Sequence, residues 1–226
     1  MKTVNDIREE FIRKYKNKEF VEVRGFKTLE IINAAFLCDE DYVFKEPNKE
    51  YIQKEINWYL SQSLNVYDLD KNPPKAWILS ADKYGNINSN YGHIVFSELY
   101  YNQFQRCLEH LQSDLYTRRA VLIYNRPSMH IEWNMGGKND FVCTMYQQFL
   151  YRDNKLHLFV SMRSNDAVFG YRNDLAWAKY LLNKMVEELS KSKNIPIAMG
   201  NIYWHAVSFH IYEQHFKYIE EWIGGE

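Results

Sequence analysis

Of the three cysteines in the chain, one sits among residues able to turn its sulfur into a reagent. Cys143 lies in a polar, arginine-containing stretch, whereas Cys38 and Cys107 fall in apolar runs and read as small core residues. The thiolate is the nucleophile, so cationic partners folded around Cys143 would favour attack; a lone strand cysteine is ordinarily just packed inward. An odd number of widely spaced cysteines fits neither a disulfide framework nor a CxxC metal site, and implies reduced thiols in a cytosol-like compartment. Glu55, flanked by Ile52, Ile56 and Trp58, is a candidate for partial burial and raised proton affinity, although a helix-surface glutamate is normally solvated. The pair Arg118-Arg119 opens a strand; it reads as a solvated edge feature, or as two forked guanidinium groups suited to a phosphate monoester. Asp174 precedes the apolar run LAWAKYLL, where an aspartate reads as a helix N-cap. His205, His210 and His215 recur every five residues, which does not put three ligands on one helical face, so no metal is expected.

Elements that must position these side chains follow from apolar spacing. Ile7, Phe11, Ile12 and Tyr15 predict a helix over roughly 4–18, and 51–61 carries a second helical stripe with Glu55 beside it. Residues 28–37 read as a buried strand, 70–74 as a loop, and the polar stretch 82–92 as a functional loop too poor in apolar area to form an element. A long helix is expected over 96–111, a strand over 119–124, and a turn at 134–140. Residues 141–151 and 156–162, joined by RDNK, form the simplest hairpin in the chain. The apolar face of 175–189 predicts the central buried helix, and 202–207 a strand feeding a short C-terminal helix in which HIY sits at the start. A strand-rich middle with helices to one side points to α+β.

Composition bounds the rest. With 226 residues, 46% of them hydrophobic and 16% aromatic, the chain can bury one large core, and residues 1–226 are read as a single domain. A formal charge of −1 without a dense basic run argues against nucleic acid as main partner, while a small phosphorylated ligand needs only a few cations. The charged N-terminus offers no signal-peptide core and no later segment has the length of a membrane span, so a soluble cytoplasmic protein with no membrane partner is expected.

The stretch CTMYQQFLYRDNKLHLFVSMRSNDAVFGYRNDLA, from Cys143 through Ala176, resembles the active-site block of the thymidylate synthase family: the cysteine, then Gln148-Phe149, then Arg163-Ser164-Asn165-Asp166, then Gly170 and a base-reading residue at Asp174, all without a gap. Glu55 in KEINW, Trp77, Tyr91-Gly92, Arg118-Arg119 and His210-x-Tyr212 follow the family order, so the likeness spans most of the chain. INSNYG, YNRPSM, MRSNDAVFGYRND and, above all, Asp174 where thymidylate synthases carry Asn resemble the deoxycytidylate-hydroxymethylating branch of the T-even phage type.

That resemblance implies a thymidylate synthase-like fold, with a mixed β-sheet at a homodimer interface and helices on the other face. Cys143 would add to C6 of the pyrimidine, making C5 able to attack a one-carbon unit from 5,10-methylenetetrahydrofolate, with no metal required. Asp174 would accept from cytosine N4 and share a proton with N3. For Arg163 and Ser164, with Arg118 and Arg119 from the other subunit, the resemblance implies a phosphate cradle, with Arg24 of the N-terminal loop as a further ligand. Gln148 and Asp166 are implied on the substrate, His210 and Tyr212 at the sugar 3′-hydroxyl, Trp77, Asp166 and Glu55 at the folate, and Glu55 with Tyr91 in proton transfer. The family's apolar tail over the folate is not matched by IEEWIGGE, which favours hydration of the one-carbon unit to hydroxymethyl over its reduction to methyl. Other readings are a CMP hydroxymethylase, a dUMP-directed synthase or hydroxymethylase, and a non-catalytic nucleotide- or RNA-binding regulator on the same fold. The host cytoplasm would be the location if the chain is phage-encoded, and modified phage DNA the destination of the product.

Overall fold

A computed structural model describes residues 1–225. Helix α1 (Val4–Lys16) begins at a capping box in which Thr3 and Asp6 satisfy each other's backbone amides, and it buries Val4, Ile7, Phe11 and Ile12. Strands β1 (Val21–Val23) and β2 (Phe26–Leu37) form a hairpin whose two turn residues, Arg24 and Gly25, are both left-handed at φ 52° and 78°. Helix α2 (Lys49–Ser61) is capped by Asn48. Short helices α3 (Lys75–Ser80) and α4 (Tyr91–Phe96) follow, then α5 (Gln103–Ser113), β3 (Val121–Ile123) and α6 (Met129–Glu132). The C-terminal half is β4 (Thr144–Arg152), β5 (Lys155–Asp166), the 24-residue α7 (Gly170–Lys193), β6 (Ala198–Tyr212) and α8 (Phe216–Gly224).

The strands make one six-stranded mixed sheet in the order β1-β2-β6-β5-β4-β3, antiparallel except for the β5–β6 pair. One face carries Leu29, Phe36, Phe149, Leu158, Val160, Met162, Trp204 and Phe209 into the core, where α7 adds Leu175, Ala178, Leu181, Leu182 and Met185. Burial at alternate strand positions is what a sheet covered on one face requires. The opposite face presents Tyr146 and Val207 exposed, with Phe159 and Tyr203 stacked at 4.6 Å between ring centroids. The architecture is α+β, as the sequence pattern predicted.

Several boundaries differ from the sequence expectations, each for a local reason. The helix expected over 96–111 is interrupted: Tyr101 and Asn102 take left-handed conformations (φ 64° and 43°), and Asn102 caps α5. Apolar periodicity continues across such a break because it records side-chain type, not backbone hand. The 82–92 segment is irregular up to Tyr91, yet its polar tip is buried, with Asn88, Ser89 and Asn90 all under a tenth exposed. Strand β6 runs past residue 207 to Tyr212, so His210 and Tyr212 stand on a strand rather than at a helix start. Asp174 is not an N-cap: α7 begins at Gly170, four residues earlier, after the Asp166 carboxylate has accepted the Val168 and Phe169 amides at 2.6 and 3.2 Å. The RDNK hairpin forms as expected, with Asp153 and Asn154 both left-handed. Among the described residues no helix is long and apolar enough to cross a membrane.

Candidate active site

The parallel pairing of β5 with β6 gathers the site. Ser164 lies opposite Ser208 and Asp166 opposite His210, so two strands that end at the same edge deliver the Arg163–Asp166 and His210–Tyr212 segments side by side. Strand β2, antiparallel to β6, begins there too, with Thr28 opposite Tyr212 and Glu30 opposite His210, which brings the Arg24 hairpin tip to that edge. Cys143 immediately precedes β4, and its carbonyl accepts the Arg163 amide at 2.9 Å. A cleft of about 630 Å³ results, walled by Arg24, Cys143, Arg163, Ser164, His210 and Tyr212 among others.

Within it the Arg163 guanidinium is held against the thiol. Its Nε donates to the Val142 carbonyl at 3.0 Å, its Nη2 donates to the Phe141 carbonyl, and the same Nη2 lies 3.5 Å from Cys143 Sγ. Burial pushes the Cys143 thiol up to about 11, with Arg163 opposing that rise. The resting sulfur is therefore a thiol at neutral pH, and Arg163 is the group that favours its ionisation. Cys38 and Cys107 are pushed up to about 12 by burial, and at neither does an arginine oppose the rise.

A second cavity, about 710 Å³, adjoins the first at Tyr212 and Gln214 and is walled by Tyr51, Glu55, Trp77, Tyr91, Asp166, Phe169, Arg172 and Asp174 among others. Glu55, on α2, is buried at 5% exposure. Its Oε1 accepts from the Tyr51 hydroxyl at 2.7 Å and from Trp77 Nε1 at 3.2 Å, while burial raises its proton affinity. Asp174, one turn into α7, is pushed up to about 8 by burial and then by the nearby Glu55 carboxylate. Burial also raises Tyr91, which lines the second cavity. A wall of Trp77 and Phe169 with carboxylates at its edges can take a flat heterocycle bearing N–H donors.

The 88–90 tip is the buttress behind these walls. Asp140 accepts from the Asn88 and Ser89 amides at 2.6 and 2.8 Å and from Ser89 Oγ at 2.5 Å. Asn90 caps α4 and donates to the Trp58 and Ser63 carbonyls at 3.0 and 2.7 Å. Gly92 lets α4 touch α2: a Cβ there would stand 1.7 Å from the Tyr59 carbonyl oxygen.

Cys143, Arg24, Arg163, Ser164, His210 and Tyr212 thus share one cleft, and Glu55, Trp77, Tyr91, Asp166 and Asp174 share the other. Arg118 and Arg119 do not join them. Both are exposed, and Arg119 lines a separate recess with Arg106 and Arg126. Gln148 also stays outside both cavities: it points to the sheet's open side, and its Nε2 donates to the Arg118 carbonyl at 2.8 Å. Sequence reasoning missed Tyr51, whose i,i+4 relation to Glu55 on one helix face was the available signal, and it missed Asp140, which had none. It quoted Asn165 within the motif without a role; the structure puts its amide 2.7 Å from Asp174. Among the described residues no group of three or more His, Cys, Asp or Glu could hold a metal ion.

A thiol beside an arginine at the edge of a mixed sheet, opening into a cavity walled by buried carboxylates and tryptophan, is an arrangement with known relatives. The family model for thymidylate synthase matches residues 42–225, and the chain belongs to that family. The deoxycytidylate 5-hydroxymethyltransferases of Enterobacteria phages T4 and T6 are each 44% identical to it over 222 residues, covering 97% of this chain and 90% of theirs. A putative thymidylate synthase of Methanocaldococcus jannaschii is 31% identical over 54% of the chain and 53% of its own length. Among solved structures, thermostable thymidylate synthase A from Bacillus subtilis superposes with a TM-score of 0.74 over 98% of this chain and 84% of that one, at 19% identity, a likeness of fold.

Proposed function

We propose that the chain is a deoxycytidylate hydroxymethylase, a single catalytic unit that works as a homodimer in the cytoplasm of its host. The observation that carries this reading is Asp174: a carboxyl, raised to about 8, beside the cavity into which the Cys143 cleft opens. Cytosine offers a bare N3 acceptor and an N4 amino donor, and a protonated carboxyl answers with one donor and one acceptor. An asparagine would instead match the N3–H and O4 of uracil.

Cys143, ionised next to Arg163, attacks C6 of the ring and forms the C6–S bond, while the electron pair of the C5–C6 double bond makes C5 nucleophilic. The proton shared between Asp174 and N3 draws electrons from the ring and assists that attack. When bound, 5,10-methylenetetrahydrofolate supplies an electrophilic one-carbon unit for C5. Trp77 and Phe169 would flank its heterocycle, and Glu55 and Asp166 would accept its N–H groups. Glu55, its proton affinity raised and its carboxyl fixed by Tyr51 and Trp77, is placed to guide water to the one-carbon unit once C5 has lost its proton and the folate has left; expulsion of the Cys143 thiolate from C6 then restores the C5–C6 double bond and leaves CH₂OH at C5. Tyr91 carries protons between the two cavities. Arg24, Arg163 and Ser164 hold the phosphate, with Arg118 and Arg119 of the partner subunit supplying further guanidinium groups. The open sheet face with Tyr146, Phe159, Tyr203 and Val207 is the surface on which that partner would sit. His210, buried beside Ser208, and Tyr212 read the 3′-hydroxyl. Gln148 acts through the Arg118 backbone that it holds.

Mass spectrometry of the product from dCMP and 5,10-methylenetetrahydrofolate tests the reaction, because methyl and hydroxymethyl differ by one oxygen. Turnover of dCMP alone among dCMP, CMP and dUMP is the expected result. A methyl product, or preferred turnover of dUMP or CMP, overturns the proposal, and RNA retention without folate turnover would point to a regulator.

A further inference from the structure

A neutral carboxyl is an ambiguous reader of pyrimidines. With its proton on the oxygen facing N3 it matches cytosine; with the proton on the other oxygen it accepts from uracil N3–H and donates to O4. Burial alone does not choose between these two forms.

We infer that Asn165 makes the choice, as the positioning residue that fixes which oxygen of Asp174 accepts and thereby sets the preference for cytosine over uracil. This rests on the reading of Asp174 as the base reader. Asn165 stands on β5 opposite Phe209 and is 4% exposed. Its Nδ2 donates to Asp174 Oδ2 at 2.7 Å. An N–H group can only donate, so Oδ2 must present a lone pair, and the unprotonated oxygen of a neutral carboxyl is the stronger acceptor. The contact thereby favours the proton on Oδ1. Oδ2 keeps a second lone pair for the amino hydrogen of N4, and Oδ1–H is left for N3.

The surroundings support that single task. Among the described residues, Asp174 is the one side-chain hydrogen-bond partner of Asn165, and Asn165 Oδ1 is buried without a partner. The amide therefore contributes no other polar contact to the fold. Gly170 leaves the space this contact needs: a Cβ there would lie 3.1 Å from Asn165 Nδ2 and 3.7 Å from Asp174 Oδ2. In a polar site, a group that leaves the wrong partner unmatched discriminates more strongly than an added apolar contact.

The test compares kcat/KM for dCMP and dUMP, with 5,10-methylenetetrahydrofolate, between pH 6 and 9.5 in wild type, Asn165→Leu and Asp174→Asn. Asn165→Leu keeps the branched shape and removes the donor. The dCMP-to-dUMP ratio is expected to fall by about tenfold or more. The alkaline limb of dCMP binding, read by equilibrium titration over the same pH range, should also move to higher pH, because the lost N–H favoured the ionised carboxylate. Equal losses on both nucleotides, with ratio and limb unchanged, would mean that Asn165 only supports the fold and would overturn the inference. If Asn165→Leu does not accumulate as folded protein, Asn165→Ala is read by the same ratio. A wild-type enzyme without dCMP preference, or a preference unmoved by Asp174→Asn, sinks the base-reading proposal and this one with it. A preference that Asp174→Asn shifts but both Asn165 variants preserve sinks this inference alone.

Discussion

The two cavities are built on opposite principles. The cleft around Cys143 is made at strand ends and a hairpin tip, where guanidinium groups stand near solvent. The cavity around Glu55 and Asp174 is made by α2, α3, α4 and the start of α7, where burial pushes both carboxyls up and Glu55 raises Asp174 further. The first is suited to an anion that arrives charged, the second to a neutral ring whose edge is read by shared protons. The residues proposed for the second cavity all line it, whereas Arg118 and Arg119, proposed for the first, lie outside it.

Breaking the division at its junction should have the largest effect. Cys143→Ala is expected to lower turnover by about 10⁴-fold or more while nucleotide still binds, measured by kcat and by equilibrium titration with dCMP. Replacing both Arg118 and Arg119 with Gln should cost about 10³-fold, and mixing that variant with Cys143→Ala should restore about a quarter of wild-type activity, since half the dimers then hold one intact site. No recovery on mixing would place all phosphate ligands within one chain and weaken the contrast. Asp174→Asn should lower kcat/KM for dCMP by about 100-fold and raise it for dUMP.

Smaller effects sharpen the comparison further. Gly92→Ala should cost about 3 kcal/mol in denaturant unfolding, because its Cβ would collide with the Tyr59 carbonyl at the packing of α4 on α2. For proton affinities the two cavities predict opposite signs. The Asp174 carboxyl must keep its proton to meet N3, so dCMP binding, followed by equilibrium titration, weakens as pH rises through about 8. The Cys143 thiol must lose its proton, so iodoacetamide alkylation of the free enzyme quickens with pH up to about 11. Arg163→Gln should slow that alkylation several-fold at pH 8, and an unchanged rate would remove Arg163 from the activation of the sulfur.

What was legible in the sequence follows from how locally each feature is encoded. The RDNK hairpin, the central helix and the first helix were readable because turn residues and apolar spacing act within a few positions. The block from Cys143 to Asp174 was readable because reactive side chains stood there at unbroken spacing. The break at Tyr101–Asn102 was hidden because side-chain type does not report backbone hand.

The sequence by itself determined which side chains are available: a cysteine in polar company, an aspartate before the central helix, arginines in pairs. Only the tertiary structure decided what they are. Asp174 reads as a helix cap in one dimension and stands as a buried acid against Asn165 and Glu55 in three. Asp140 and Asn88, far apart along the chain, share two hydrogen bonds. Proton affinity depends on what surrounds a group after folding, and those neighbours come from elements that no local pattern connects.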